Sequence, residues 1–120
     1  KKYGFVVNPL KGVALISGIY ETEIIPSLTV NNEIQLSYEE ASNNNPFKLE
    51  PKFIIPTIIS FGDDEPELWK AQSIKYMKYL NLKGYNCKKI VCKDDNHFSL
   101  IDTLADYNHL LVKEIINLSF

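Results

Sequence analysis

The chain has 120 residues, 45% hydrophobic and 23% charged, the composition of a globular domain with one core rather than of a disordered or fibrous chain. Thirteen Lys and Arg against fifteen Asp and Glu give a formal net charge of −2 with no block of like charge, which excludes the basic footprint of a nucleic-acid binder. The longest apolar stretches, Val13–Ile19 and Phe53–Phe61, fall short of the roughly 20 residues a bilayer span needs, and Lys1-Lys2-Tyr3-Gly4-Phe5 lacks the apolar core of a secretory signal. A start this abrupt suggests a fragment.

Gly12-Val13-Ala14-Leu15-Ile16-Ser17-Gly18 is a compact apolar run between glycines and reads as a first strand, buried on both faces as in a parallel sheet. Glu21–Glu50 is polar, broken by Asn31-Asn32 and Asn43-Asn44-Asn45-Pro46 around a short helix expected within Ile34–Ala41, so it reads as an excursion from the sheet. Phe53–Gly62 is a second buried strand, with Pro56 tolerated near its start. Pro66 suits a first helical turn with Asp64 or Glu65 as its cap, and Trp69, Tyr76, Met77 and Leu80 recur at helical spacing until Gly84.

Lys88–Cys92 is a third strand, Lys93-Asp94-Asp95-Asn96 a polar turn, and Leu100, Leu104, Tyr107, Leu111 and Ile115 the stripe of one terminal helix. Cys87 and Cys92, at an odd separation on one strand, should face opposite ways and stay reduced, and no Cys or His pair has zinc-site spacing, so no metal is expected. The order of elements predicts an α/β domain over 1–120, parallel strands with covering helices.

Ligands bind such sheets beyond the carboxyl ends of the strands, where Asp64 and His97 both fall. A histidine acting as general base needs one nitrogen free and the other held by a carboxylate, and Asp64 before His97 follows the serine, acid, histidine order of α/β-hydrolases. The alternative is that Asp63, Asp64 and Glu65 cap the helix and His97 is a loop residue. Asp94 and Asp95 read as solvated turn residues. His109, in the middle of the terminal helix without an acidic neighbour, reads as structural. No G-x-S-x-G elbow and no His-Gly-Gly oxyanion segment is present, so by chain order a nucleophilic serine belongs upstream of the first strand.

Ser17-Gly18-Ile19-Tyr20, Ile25, Thr29, Asn32, Leu36, Glu39, Ala41 and Asn44-Asn45-Pro46 resemble the arylformamidase (kynurenine formamidase) family of α/β-hydrolases, whose members carry S-G-[VI]-[FY]-D-L-x-P-I and then E-[DE]-A-x-x-N-S-P. Glu21-Thr22 stands where the family has Asp-Leu, and Asn45 where it has Ser. Asp64-Glu65-Pro66-Glu67-Leu68 resembles the family's D-x-P-E-[FL], Gln72-Ser73 its Q-S after a one-residue insertion, and His97-Phe98 its H-F. The resemblance spans about Gly12 to Leu104 and implies the C-terminal part of one α/β-hydrolase domain.

It further implies Asp64 as triad acid, His97 as triad base, and hydrolysis of N-formyl-L-kynurenine to kynurenine and formate in tryptophan catabolism. No metal or organic cofactor is implied, and the cytoplasm is the expected compartment. Tyr20 and Phe98 are candidate walls for an aromatic substrate. A general carboxylesterase or lipase of the same fold, or a non-catalytic remnant, would share the Asp64 and His97 placement. The expected partner is a small aromatic formamide or ester, with a homodimer as a possible assembly and neither nucleic acid nor membrane involved.

Overall fold

The computed structural model describes residues 6–119; the basic start Lys1-Lys2-Tyr3-Gly4-Phe5 lies outside them. Three parallel strands, β1 (Val13–Ile16), β2 (Thr57–Gly62) and β3 (Cys87–Cys92), lie side by side in chain order with β2 in the middle. Val13 pairs with Thr57 and Ile16 with Ser60 on one side, and Thr57 with Cys87 through Gly62 with Cys92 on the other. The second strand is shorter than its apolar run suggests. It begins directly after Pro56, which has no N–H to give a ladder but whose carbonyl accepts the Val13 N–H at 3.0 Å.

All of β2 is buried, and its alternation divides the core in two. Ile59 joins Tyr20, Tyr76, Leu80 and Tyr85 under helix α3 (Glu67–Leu82), while Ile58 joins Ile90, Cys92, Leu100 and Leu111 under α4 (Ser99–Asp102) and α5 (Leu110–Ser119). Helices therefore cover both faces of the sheet. Cys87 packs against the first cluster and Cys92 lies in the second; both are free thiols on opposite faces, as their spacing predicts.

Helix α3 ends where Gly84, at φ +88°, takes up a left-handed conformation that side chains disfavour. Its cap is Pro66 with no side-chain cap bond, so Asp64 and Glu65 do not serve the capping role open to them in sequence. The excursion holds a 3₁₀ helix (Thr22–Ser27) and two short α-helices, α1 (Asn31–Ile34) and α2 (Tyr38–Asn43), instead of one helix over Ile34–Ala41. Gln35 is left-handed at φ 56°, and Ser37 with Glu40 forms a capping box that starts α2 afresh.

The single terminal helix is likewise corrected to α4, a 3₁₀ turn at Thr103–Ala105 and α5. Asp106 makes the break: its carboxylate accepts the Asn108 N–H at 2.8 Å and its carbonyl the His109 N–H at 3.0 Å, an Asx turn that competes with helix.

Candidate active site

Because β2 and β3 are parallel and in register to their last pair, Gly62 and Cys92, the segments 63–65 and 93–97 leave the sheet at the same edge. They are tied there by main-chain N–H groups, which donate to two carbonyls and one carboxylate. Asp63 N–H donates to the Cys92 carbonyl and Asp64 N–H to the Asp95 carbonyl, each at 3.0 Å, and Asp94 N–H donates to Asp63 Oδ1 at 2.6 Å. The approach requires glycine at position 62, since a Cβ there would stand 2.0 Å from the Asp95 oxygen.

On this frame Glu65 Oε1 meets His97 Nδ1 at 3.0 Å, with the Glu65 side chain 1% exposed and that of His97 41% exposed. A carboxylate can only accept, so the proton of the neutral ring sits on Nδ1 and the Nε2 lone pair is left free. Burial of Glu65 keeps water from competing for that contact, and its second oxygen, Oε2, is buried without a partner among the described residues. The imidazole is also flanked edge to face by Trp69, at 5.0 Å between centroids, and by Phe98, at 5.6 Å. His97 is thereby fixed in tautomer and in ring plane.

Asp64 is exposed, and the contact expected of it with His97 is made by its neighbour. The cause is local: the Asp64 N–H is spent on Asp95, which leaves its side chain outward, and the next residue, at the entry to α3, turns inward. No sequence signal separates the two, because Gly62–Glu65 is a turn, closed by the Glu65 N–H on the Gly62 carbonyl at 3.3 Å, where strand alternation does not apply. Among the described residues no serine hydroxyl is hydrogen-bonded to His97. Ser17, just past β1, has φ 47° and lies buried, its hydroxyl without a partner among the described residues.

Of the two aromatic candidates, Phe98 is 81% exposed beside His97, whereas Tyr20 is 4% exposed and stacked on Tyr76 at 4.5 Å in the core. Burial raises the Tyr20 hydroxyl well above the ordinary tyrosine range. Trp69, which sequence reading treats as a core position, is the additional aromatic at the site. Gln72 has a positional role: its buried Oε1 accepts the N–H groups of Tyr20 at 3.0 Å and Glu21 at 2.9 Å, fastening the exit from β1 to the helix that carries Trp69.

No protein-family model matches the chain. It is 31% identical over 119 residues to a kynurenine formamidase of Danio rerio and 25% identical over 119 residues to one of Salmo salar, alignments that cover 93% and 94% of the chain. The chain spans 40% of the length of each of these relatives. A solved structure from Silicibacter sp., named as a candidate thioesterase, superposes with a TM-score of 0.71 over 88% of the chain and 38% of its own length, at 19% identity, a likeness of fold. The resemblance to kynurenine formamidases and the α/β architecture are both borne out. Among the described residues no helix is long and apolar enough to cross a membrane.

Proposed function

We propose that this chain supplies the acid and base of a serine-type hydrolase, and that the protein carrying it hydrolyses an aryl formamide, N-formyl-L-kynurenine, to kynurenine and formate. The observation that carries this reading is the buried Glu65 carboxylate on His97 Nδ1 at 3.0 Å, in a chain similar to kynurenine formamidases over nearly its whole length. An upstream serine hydroxyl attacks the formyl carbon as His97 Nε2 takes its proton. The imidazolium so formed is stabilised by Glu65, and it returns the proton to the arylamine nitrogen as the C–N bond breaks. Water, deprotonated by the same nitrogen, then releases formate from the formyl-serine.

In this reading Glu65 orients His97, and Phe98 and Trp69 supply an apolar flank for the substrate's aromatic ring. A second reading keeps Asp64 as the acid, because Asp64-Glu65-Pro66-Glu67-Leu68 fits the D-x-P-E-[FL] pattern with the Asp first. A general carboxylesterase would use the same groups. The cytoplasm is the proposed compartment.

The test is made on the protein that includes this chain together with its upstream segment, by comparing N-formylkynurenine with p-nitrophenyl acetate. A higher kcat/KM for the formamide supports the proposed substrate, and the reverse favours the esterase. His97→Ala should lower kcat by about 10³-fold or more on either substrate; retention of a sizeable fraction of turnover would remove His97 from the mechanism.

A further inference from the structure

The break before α5 brings His109 back over the end of β3. There it meets two residues far from it in sequence: a ring nitrogen of His109, the Sγ of Cys92 and a carboxylate oxygen of Asp95 all lie within 4.8 Å of one another. His109 therefore has an acidic neighbour, contrary to its reading as a mid-helix structural residue.

A thiolate, an imidazole and a carboxylate are the three protein ligand types of zinc, and three such ligands with a fourth position left to water is a common zinc arrangement. Zinc bonds of roughly 2.0–2.3 Å place tetrahedral donors roughly 3.5 Å apart, so small side-chain rotations close the cluster. The donors come from the end of strand β3, its following turn and the residue just before α5, which fixes their relative positions.

Each donor also has an outer partner. Ser60 Oγ lies 3.5 Å from Cys92 Sγ, the Ser99 hydroxyl donates to Asp95 Oδ1 at 2.7 Å, and the Leu111 N–H donates to His109 Nδ1 at 3.3 Å. The contacts on Cys92 and Asp95 orient those ligands and leave remaining lone pairs for a cation, whereas the neutral His109 ring, accepting at Nδ1, has no second lone pair and must give up the Leu111 contact when it binds a metal. The Leu111 contact is long, at 3.3 Å, so a metal at His109 Nδ1 displaces a weak bond.

We infer that Cys92, Asp95 and His109 form a binding site for a thiophilic divalent cation of the zinc class. Binding replaces the thiol proton of Cys92, which leaves to solvent, by the metal, while His109 binds as the neutral ring and Asp95 as carboxylate. The site pins the turn that carries His97 two residues beyond Asp95, but it does not depend on any catalytic role for His97.

The experiment is titration of the metal-free, reduced protein with Co2+ and then Zn2+, followed by absorption spectroscopy. One equivalent of Co2+ should give a thiolate-to-cobalt charge-transfer band and tetrahedral visible bands, all abolished by Zn2+. Cys92→Ser should lose the charge-transfer band while Cys87→Ser keeps it. Asp95→Asn and His109→Gln, at positions with more exposure, should each weaken Co2+ binding about tenfold or more. Absence of stoichiometric binding at micromolar metal, or a charge-transfer band that survives Cys92→Ser, would overturn the inference.

Discussion

The carboxylate of Glu65 holds His97 Nδ1 at 3.0 Å through one oxygen and keeps the other, Oε2, buried and unpaired among the described residues. Burying half a carboxylate without a partner is costly, on the order of 1–3 kcal/mol for an unsatisfied polar atom, so the geometry is held by its surroundings rather than by that group alone. The bonds from Asp63 N–H to the Cys92 carbonyl, Asp64 N–H to the Asp95 carbonyl and Asp94 N–H to Asp63 Oδ1 supply that support.

If Glu65 orients His97, Glu65→Gln in the longer protein should lower kcat by about 10³–10⁴-fold, since the amide favours the wrong tautomer. Asp64→Asn, at an exposed position, should stay within a few-fold of wild type. Steady-state kinetics of the two variants decide between the carboxylates; the opposite ranking would give the role to Asp64.

The 120 residues alone should hydrolyse neither N-formylkynurenine nor p-nitrophenyl acetate, because no serine hydroxyl among the described residues is bonded to His97. Clear turnover by the isolated chain, abolished by Ser17→Ala, would instead locate a nucleophile at the end of β1.

Gly62→Ala places a methyl group 2.0 Å from the Asp95 carbonyl oxygen, a backbone atom that cannot move without disturbing the turn before His97. We expect a loss of about 1–3 kcal/mol or more in urea unfolding, together with loss of the Glu65 and His97 contact. An unchanged midpoint would show that the turn yields freely.

Gln72→Leu removes one acceptor and strands two main-chain donors, those of Tyr20 and Glu21, at a buried or half-buried site. Destabilisation of about 2–4 kcal/mol is expected from the loss of both bonds, measurable by chemical denaturation. A change under about 0.5 kcal/mol would mean that the exit from β1 is fastened elsewhere.

Burial pushes the Cys87 thiol up from 9.0 to about 11. The unfolded chain then releases this proton first as pH rises, so the folded state binds more protons between those values and stability falls with increasing pH across that window. The contribution is fully present below about pH 9. Denaturation midpoints measured across the window should decline, and Cys87→Ala should decline less steeply; equal slopes would contradict the shift.

Much was legible in the chain before folding was considered. Gly12–Gly18 and the end of Phe53–Gly62 declare strands by unbroken apolar character, and Gly84 marks the close of α3 through its backbone freedom, but only β2 is buried throughout: β1, expected to be buried on both faces, is a half-buried edge strand, and β3 is largely exposed. His97 was identifiable by position after a strand and by its H-F context.

Local pattern could not see the outcome of competing short-range bonds. Asp106 breaks a helix that its apolar stripe proclaims, and Ser37 restarts one after a left-handed Gln35, since a side-chain oxygen offered to a nearby N–H outweighs weak helical preference. Which of two adjacent carboxylates reaches His97 was settled only by the packing of one turn against another: the Asp64 N–H is taken by Asp95, and Glu65 is the residue left facing inward. The same break that defeated the helical reading carries His109 to Cys92 and Asp95. Periodicity along a chain thus determined the strands and the layers, whereas the meeting of residues distant in sequence is a property of tertiary contact, which sequence spacing does not encode.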